Sequence, residues 1–393
     1  MLLSELFPKD GEVRRLYCDV CGQSMDLVFT DFSEDVSGVE ITIRGLPHLH
    51  CHRCNKYYLT DDSRFAIIRI HEEAMKKGSN KASVAKQKRP VDFKFTNVPF
   101  LVDADDYRYI PGLYRQFDVG FLCPLYFNKE VLLKFENSPK YEVRFASQSY
   151  GTVDMEEDFI SFGINRYGKV IMWLGDIAKL SESEQFYLRS ENVESDHSIG
   201  SEFYDGQIEC IFTEPPKEAS IITGRTELDQ AFEAHFKAKL YHLDKELIDT
   251  IAGLTPPVVD TEKERKHIFD SLTRIFIESM DNAKLEKLLK SIGASSAGSG
   301  SLKRFQSALE TIDNSSAAPT ALMPLYVLYD LRVAYSHLTS ASRREELLSS
   351  AVERLGIRHG AGLSEIYGAL VDAMIEGLKS LHSILTSTNG EQH

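Results

Sequence analysis

The chain has no apolar run of about 18 residues, so no segment reads as a membrane-spanning helix. Its opening, MLLSELFPKDGEVRR, is too briefly apolar for a signal peptide and lacks a small-residue cleavage site. A cytoplasmic protein without membrane association is expected. A glycine-rich phosphate loop, a G-x-S-x-G elbow and an H-E-x-x-H pair are all missing, as are internal repeats. Cations are outnumbered, 45 lysines and arginines against 59 aspartates and glutamates, for a net charge of −14. That balance argues against a uniformly basic nucleic-acid coat. The rest is ordinary globular composition, with 42% hydrophobic and 26% charged residues over 393 positions. Wholesale disorder, a collagenous repeat and a small disulfide scaffold are excluded. At roughly 100–200 residues per domain, two to four domains are expected.

Six cysteines are present, and four of them fall as Cys18-x2-Cys21 and Cys51-x2-Cys54. A C-x2-C turn lets two sulfurs approach one ion from a short loop. Two such loops on β-hairpin tips close a tetrahedral thiolate shell, the geometry Zn²⁺ prefers. With four thiolates and no open position, one structural zinc per chain is expected. A disulfide pair fits a reducing cytosol poorly. His48, His50 and His52 crowd the second loop; one of them could replace a cysteine, and otherwise they are flanking polar residues. Cys123 and Cys210 sit in apolar surroundings and read as small core residues. The Leu16–Thr60 segment resembles a zinc ribbon of the YgiT type, found at the amino terminus of some antitoxin proteins. Those proteins continue into a helix-turn-helix reader, whereas here one helix and a basic stretch follow.

The expected architecture is multidomain α+β: a zinc ribbon over 1–60, a helix and basic linker over 61–90, a β-rich domain over 91–228, and an all-α bundle over 229–393. The 61–78 helix takes Asp61 or Asp62 as its cap and places Phe65, Ile68 and Ala74 on one side. Residues 76–90 (KKGSNKASVAKQKRP) hold six cations and no acid. They read as a solvated linker, or as a phosphate-contacting arm through Lys76, Lys77, Lys81, Lys86, Lys88 and Arg89. Short aromatic and β-branched runs mark the middle domain, with a hairpin turn at Asn165–Gly168 ahead of the strand that carries Trp173. Asp196 and His197 could form an acid–base pair, although no motif surrounds them. From Thr226 the pattern is helical. Phe232, Phe236, Leu240, Leu243 and Leu247 suggest one helix stopped by Pro256-Pro257. Further helices follow from about Thr261, around Leu285–Ile292, near Leu302–Ile312, over Thr320–Leu338, Ser342–Leu355 and Leu363–Leu385. The last carries Leu363, Ile366, Tyr367, Leu370, Met374, Leu378, Leu381 and Leu385 as an apolar stripe.

Within the bundle, residues 328–338 read LYDLRVAYSHL, with Arg332 and His337 separated by four residues. The bundle and this motif resemble the HEPN family of bacterial nucleases and toxins, whose signature is R-x4–6-H. Bare spacing is weak, since Arg44–His50, Arg64–His71 and Arg354–His359 also satisfy it. Arg332–His337 is set apart by its place on one bundle helix, flanked by Leu331 and Leu338. The residue after the arginine is polar in most of the family and is Val333 here. The residue types suit RNA cleavage. RNA carries its own nucleophile, the 2′-hydroxyl; imidazole exchanges protons near neutral pH, and guanidinium can hold a phosphate oxygen as charge builds. Five helical steps turn a side chain by about 140°, so a cleft between two antiparallel subunit helices would let both groups reach one phosphate. The resemblance implies such a homodimer. Asp330 or Ser336 could orient the pair, and Tyr335 could stack on a base.

Two functions follow. The first is a metal-independent HEPN-type endoribonuclease effector in antiphage defence or toxin–antitoxin biology, binding RNA and answering to a phage-derived trigger or regulatory protein. The second is a non-catalytic zinc-ribbon module that binds nucleic acid or protein, with a bundle that only dimerises.

Overall fold

A computed structural model describes residues 1–7, 14–88, 93, 95–113, 120–156, 158–296, 298–313 and 316–387. The protein is mixed α+β, with largely antiparallel sheets and a four-cysteine cluster near the amino terminus. Two compact units divide it, Met1–Glu214 and Pro215–His393.

In the first unit, strands β1 (Asp26–Val36) and β2 (Val39–Cys51) form a long antiparallel hairpin. The free edge of β2 is shared by two partners. Its end, His48–Cys51, pairs antiparallel with β3 (Lys56–Leu59), and its start, Glu40–Arg44, pairs parallel with β4 (Lys81–Ala85). Gly45 sits between the two halves at φ +67°, a left-handed conformation that favours glycine. The crossover from β3 to β4 is helix α1 (Asp61–Lys76).

The 76–90 stretch is therefore not simply a linker, because Lys81–Ala85 is a paired strand. The cap of α1 is Thr60, whose hydroxyl accepts the Ser63 N–H at 3.2 Å, with Asp61 and Asp62 already in the first turn. Its inner face runs through Arg64, Ile67, His71 and Ala74. Phe65 is 53% exposed, because two steps from Ile67 turn it about 200° away from the buried row.

A second sheet is antiparallel, in the order β10–β5–β9–β8–β7–β6. Its strands are β5 (Pro124–Phe127), β6 (Glu142–Phe145), β7 (Tyr150–Asp154), β8 (Phe159–Ile164), β9 (Val170–Trp173) and β10 (Asn192–Val193). Every residue of β5 and β9 is buried, as expected for central strands covered on both faces. Trp173 is core, its ring 4.6 Å from that of Phe203. The β8–β9 turn closes at Asn165–Gly168, where the Gly168 N–H donates to the Asn165 carbonyl at 2.9 Å.

The second unit is helical. Its first helix spans Lys217–Phe236, beginning ahead of Thr226 and directly behind Pro216. It ends at Lys237, which turns left-handed at φ +56°, so Leu240 and Leu247 do not continue it. Instead the Asp229 carboxylate accepts the Leu240 and Tyr241 N–H groups at 2.8 and 3.0 Å, folding that segment back. The helices Glu262–Thr273, Asn282–Ser291, Ser301–Glu310, Ala318–Ser336, Ala341–Arg354 and Leu363–Ser387 follow. The whole apolar stripe from Leu363 to Leu385 is buried. That long helix packs closely on its neighbours through glycine. An added Cβ at Gly377 would stand 2.7 Å from the Ala321 carbonyl oxygen, and one at Gly224 would stand 3.2 Å from Leu378.

Among the described residues, no helix is long and apolar enough to cross a membrane.

Candidate functional site

The four-cysteine cluster forms from two matching turns. In each, the residue after the second cysteine is left-handed, Gly22 at φ +69° and Asn55 at φ +50°. Glycine and asparagine are the residues that enter this region at least cost. The Cys18 N–H donates to Gln23 O and the Gly22 N–H to Cys18 O, both at 2.9 Å. The second turn joins β2 to β3, where Cys51 pairs with Lys56. The sulfurs of Cys18, Cys21, Cys51 and Cys54 all lie within 4.8 Å of one another. A tetrahedral shell with Zn–S bonds of about 2.3 Å needs sulfur edges of about 3.8 Å, so small adjustments would close it.

The electrostatics fit a cation. The Tyr58 hydroxyl, 3.4 Å from Cys18 Sγ, favours the thiolate and draws Cys18 down to about 6. The neighbouring Cys21 thiol and burial push Cys54 up to about 12, and burial raises Cys51. Crowded thiols resist joint ionisation unless a positive ion sits among them. The cluster is thus compatible with a structural metal ion. The three nearby imidazoles are engaged elsewhere. His48 meets Thr30 at 2.9 Å, His50 meets Asn55 at 3.0 Å, and His52 meets Asp26 at 2.8 Å.

The second constellation lies in the helical unit. Lys266, Asp270, Arg274, Glu278, Arg332, Ser336 and His337 line one cavity of about 210 Å³. Arg332 comes from the Ala318–Ser336 helix and Asp270 from Glu262–Thr273. Arg274 and Glu278 open and close the π-helical turn that extends the latter. Such turns recur at functional sites. Arg332 Nη2 donates to Glu278 Oε1 at 2.9 Å, and its Nε lies 3.4 Å from Asp270 Oδ1. Ser336 Oγ donates to the same Asp270 oxygen at 2.7 Å.

The route by which His337 reaches this cavity differs from expectation. The helix stops at Ser336, and His337 is its extended cap residue, at φ −98° and ψ 149°. The 140° offset of an uninterrupted helix therefore does not apply. One chain brings Arg332 and His337 to the lining of a common groove. Leu338 anchors nothing, being fully exposed.

Ser336 belongs to the groove, but Asp330 and Tyr335 do not line it. Asp330 binds Arg354 Nη2 at 2.5 Å. The Tyr335 hydroxyl accepts from Arg265 at 2.5 Å, and its ring stacks on Phe269, with centroids 5.5 Å apart and planes at 12°. Guanidiniums of Arg265 and Arg344 also lie over that ring, which leaves it no face for a base. Asp270, Glu278, Lys266 and Arg274 escaped the sequence reading.

The basic stretch is dispersed. Lys86 is half-buried against Asp105 and over the Phe29 ring, and Lys81 pairs with Glu40 at 2.6 Å. Lys76, Lys77 and Lys88 are exposed, and Arg89 lies outside the described residues. Asp196 and His197 do not pair. Asp196 accepts from Asn165, while His197 Nδ1 meets the fully buried Asp106 carboxylate at 2.6 Å. Of the competing R-x4–6-H matches, Arg64 and His71 are buried in α1, and Arg354 is the partner of Asp330.

Comparison with family models, with curated proteins and with solved structures finds no match.

Proposed function

We propose that this chain is an endoribonuclease effector that cuts RNA without a catalytic metal, using Arg332 and His337. The observation that carries the reading is that both line one cavity of a single chain. Guanidinium has five N–H donors. Glu278 takes one on Nη2 and Asp270 faces Nε, which leaves the Nη1 donors for a phosphate oxygen. His337 is exposed and lines the same cavity. In the reaction His337 takes the 2′-hydroxyl proton, and O2′ forms a bond to phosphorus. The P–O5′ bond breaks, the leaving oxygen takes a proton from water, and the hydroxide left behind recovers the proton that His337 took. The products are a 2′,3′-cyclic phosphate and a 5′-hydroxyl. Arg332 stabilises the charge on the pentacoordinate phosphoryl oxygens. The resemblance of this helix pattern to HEPN nucleases supports the same chemistry, and with it a homodimer and a role in defence or toxin–antitoxin systems with a phage-derived or regulatory trigger. We infer that Cys18, Cys21, Cys51 and Cys54 hold one structural zinc.

The test is purified protein with total RNA and chelator. Cleavage leaving cyclic phosphate ends should fall by about 10²–10³ in Arg332→Ala and about 10²–10⁴ in His337→Ala. Equal activity in all three proteins overturns the assignment. Expression in phage-challenged bacteria, scored by growth arrest, covers an enzyme that needs its trigger.

One observation favours the second reading, a non-catalytic binding module. Arg332 is faced by two carboxylates, Asp270 and Glu278, which offset its charge. Under that reading RNA or a protein partner is bound and never cut.

A further inference from the structure

The groove around Arg332 and His337 shares a wall with a second cavity. Asp249, Thr250, Gly253, Lys263, Lys266, His267, Asp270, Ser271 and Arg274 line it, and its volume is about 490 Å³. Lys266, Asp270 and Arg274 face both spaces.

The sizes divide the labour. Small-molecule sites run to about 300–1,000 Å³. At about 210 Å³ the Arg332 groove is below that range and suits a phosphoryl group rather than a whole nucleotide. The neighbouring cavity lies inside the range.

Charge points the same way. Lys263, Lys266, His267, Asp270 and Arg274 recur at helical spacing along one face, a stripe about 16 Å long. Three arginines of the neighbouring helices are paired: Arg265 with Asp260, Arg344 with Glu262 and Arg354 with Asp330. Among the described residues Lys263, Lys266 and Arg274 have no carboxylate partner within ion-pair distance, yet all three are exposed and line concave surface. Unpaired cations around a cleft raise the local concentration of an anionic chain.

We propose that this second cavity is the subsite for the nucleotide adjoining the scissile linkage of a single RNA strand. Lys266 and Arg274 on the shared wall hold the phosphate between the two positions. His267 and Lys263 meet the base and ribose, with Asp249 and Thr250 opposite as hydrogen-bonding groups. The inference rests on the ribonuclease reading for the identity of the strand, but its test does not need cleavage.

The probes are 2′-O-methyl oligonucleotides, which cannot be cut, measured by fluorescence anisotropy against wild type and the Lys263→Ala/His267→Ala double variant. Both residues are exposed and outside the Arg332 groove, and circular dichroism melts check the fold. A trinucleotide should bind wild type more tightly than a nucleoside 3′-phosphate does. The double variant should lose about tenfold in trinucleotide affinity and nothing in nucleoside 3′-phosphate affinity. On cleavable RNA it should raise KM while kcat holds. Equal binding of the two probes by wild type, or unchanged trinucleotide binding in the variant, overturns the subsite. If wild type cuts no RNA but the variant still loses trinucleotide binding, the ribonuclease reading fails and the subsite stands. If cleavage depends on Arg332 but the double variant behaves as wild type, the reverse holds.

Discussion

Two glycines on one helix make opposite demands. Gly368 and Gly377 both lie in the Leu363–Ser387 helix, and each gains about 1 kcal/mol of helix propensity when replaced by alanine. At Gly368 nothing stands within 4 Å of the new methyl group. At Gly377 the methyl would be 2.7 Å from the Ala321 carbonyl oxygen and 3.3 Å from Pro324 Cγ. Backbone on a packed neighbour cannot rotate out of the way, so the helices must part. Overpacking of this kind costs about 1–3 kcal/mol. Gly368→Ala should therefore stabilise the second unit. Gly377→Ala should leave it unchanged or destabilise it by up to about 2 kcal/mol. A unit of this size shifts by about 2–4 °C per kcal/mol, so melting temperatures of the two variants should differ by several degrees. Differential scanning calorimetry on the full chain reads this directly. A Gly377→Ala protein that melts at or above the Gly368→Ala protein would refute the packing described for these helices.

Metal analysis of reduced protein should find about one zinc per chain, and Cys51→Ser should lose it and melt earlier; a metal-free wild type contradicts the four-thiolate shell. Glu278→Gln removes the carboxylate that holds Arg332 Nη2. Binding of a 2′-O-methyl oligonucleotide should then tighten, and its salt dependence should steepen by about one phosphate contact; an unchanged salt slope counts against phosphate at Arg332. Burial disfavours the charged form of His197, but its hydrogen bond to Asp106 and the nearby Asp103 and Asp105 carboxylates outweigh this and hold it above the usual imidazole value. A raised folded value gives stability that is full below the unfolded value of about 6.5 and drains away as pH rises through the folded one. Wild type should lose melting temperature relative to His197→Asn, which tolerates the left-handed backbone, as pH climbs above about 6.5; parallel curves would show that the pair does not titrate there.

Legibility in the sequence followed the range of the interaction. The Leu363–Leu385 stripe and the two C-x2-C turns are local patterns, and both appear where the residues place them. The Lys217–Phe236 helix was obscured by Ile221-Ile222-Thr223-Gly224, poor helix formers held by packing, although Pro216 ahead of it is a start signal. Strand β4 was obscured because KASVA is short and lysine-flanked, and its edge position became visible only with β2 beside it. The end of the Ala318–Ser336 helix was masked by apolar Leu338, yet Ser340, which caps the next helix, was a stop sign nearby. Asp270 and Glu278 could not be read at all. They meet Ser336 and Arg332 across 66 and 54 residues of chain, a relation that exists only after the helices pack.

The shared edge of β2 bears on how this protein can be dissected. A fragment cut after Leu59 would keep all four cysteines but forfeit the strand that covers Glu40–Arg44, along with the helix lying over Ile41 and Ile43. Half of a strand edge and its greasy side would be laid bare together, an invitation to intermolecular pairing. The cysteine knuckles are therefore poor candidates for excision as a free-standing finger, and the smallest soluble piece should run at least through Lys86.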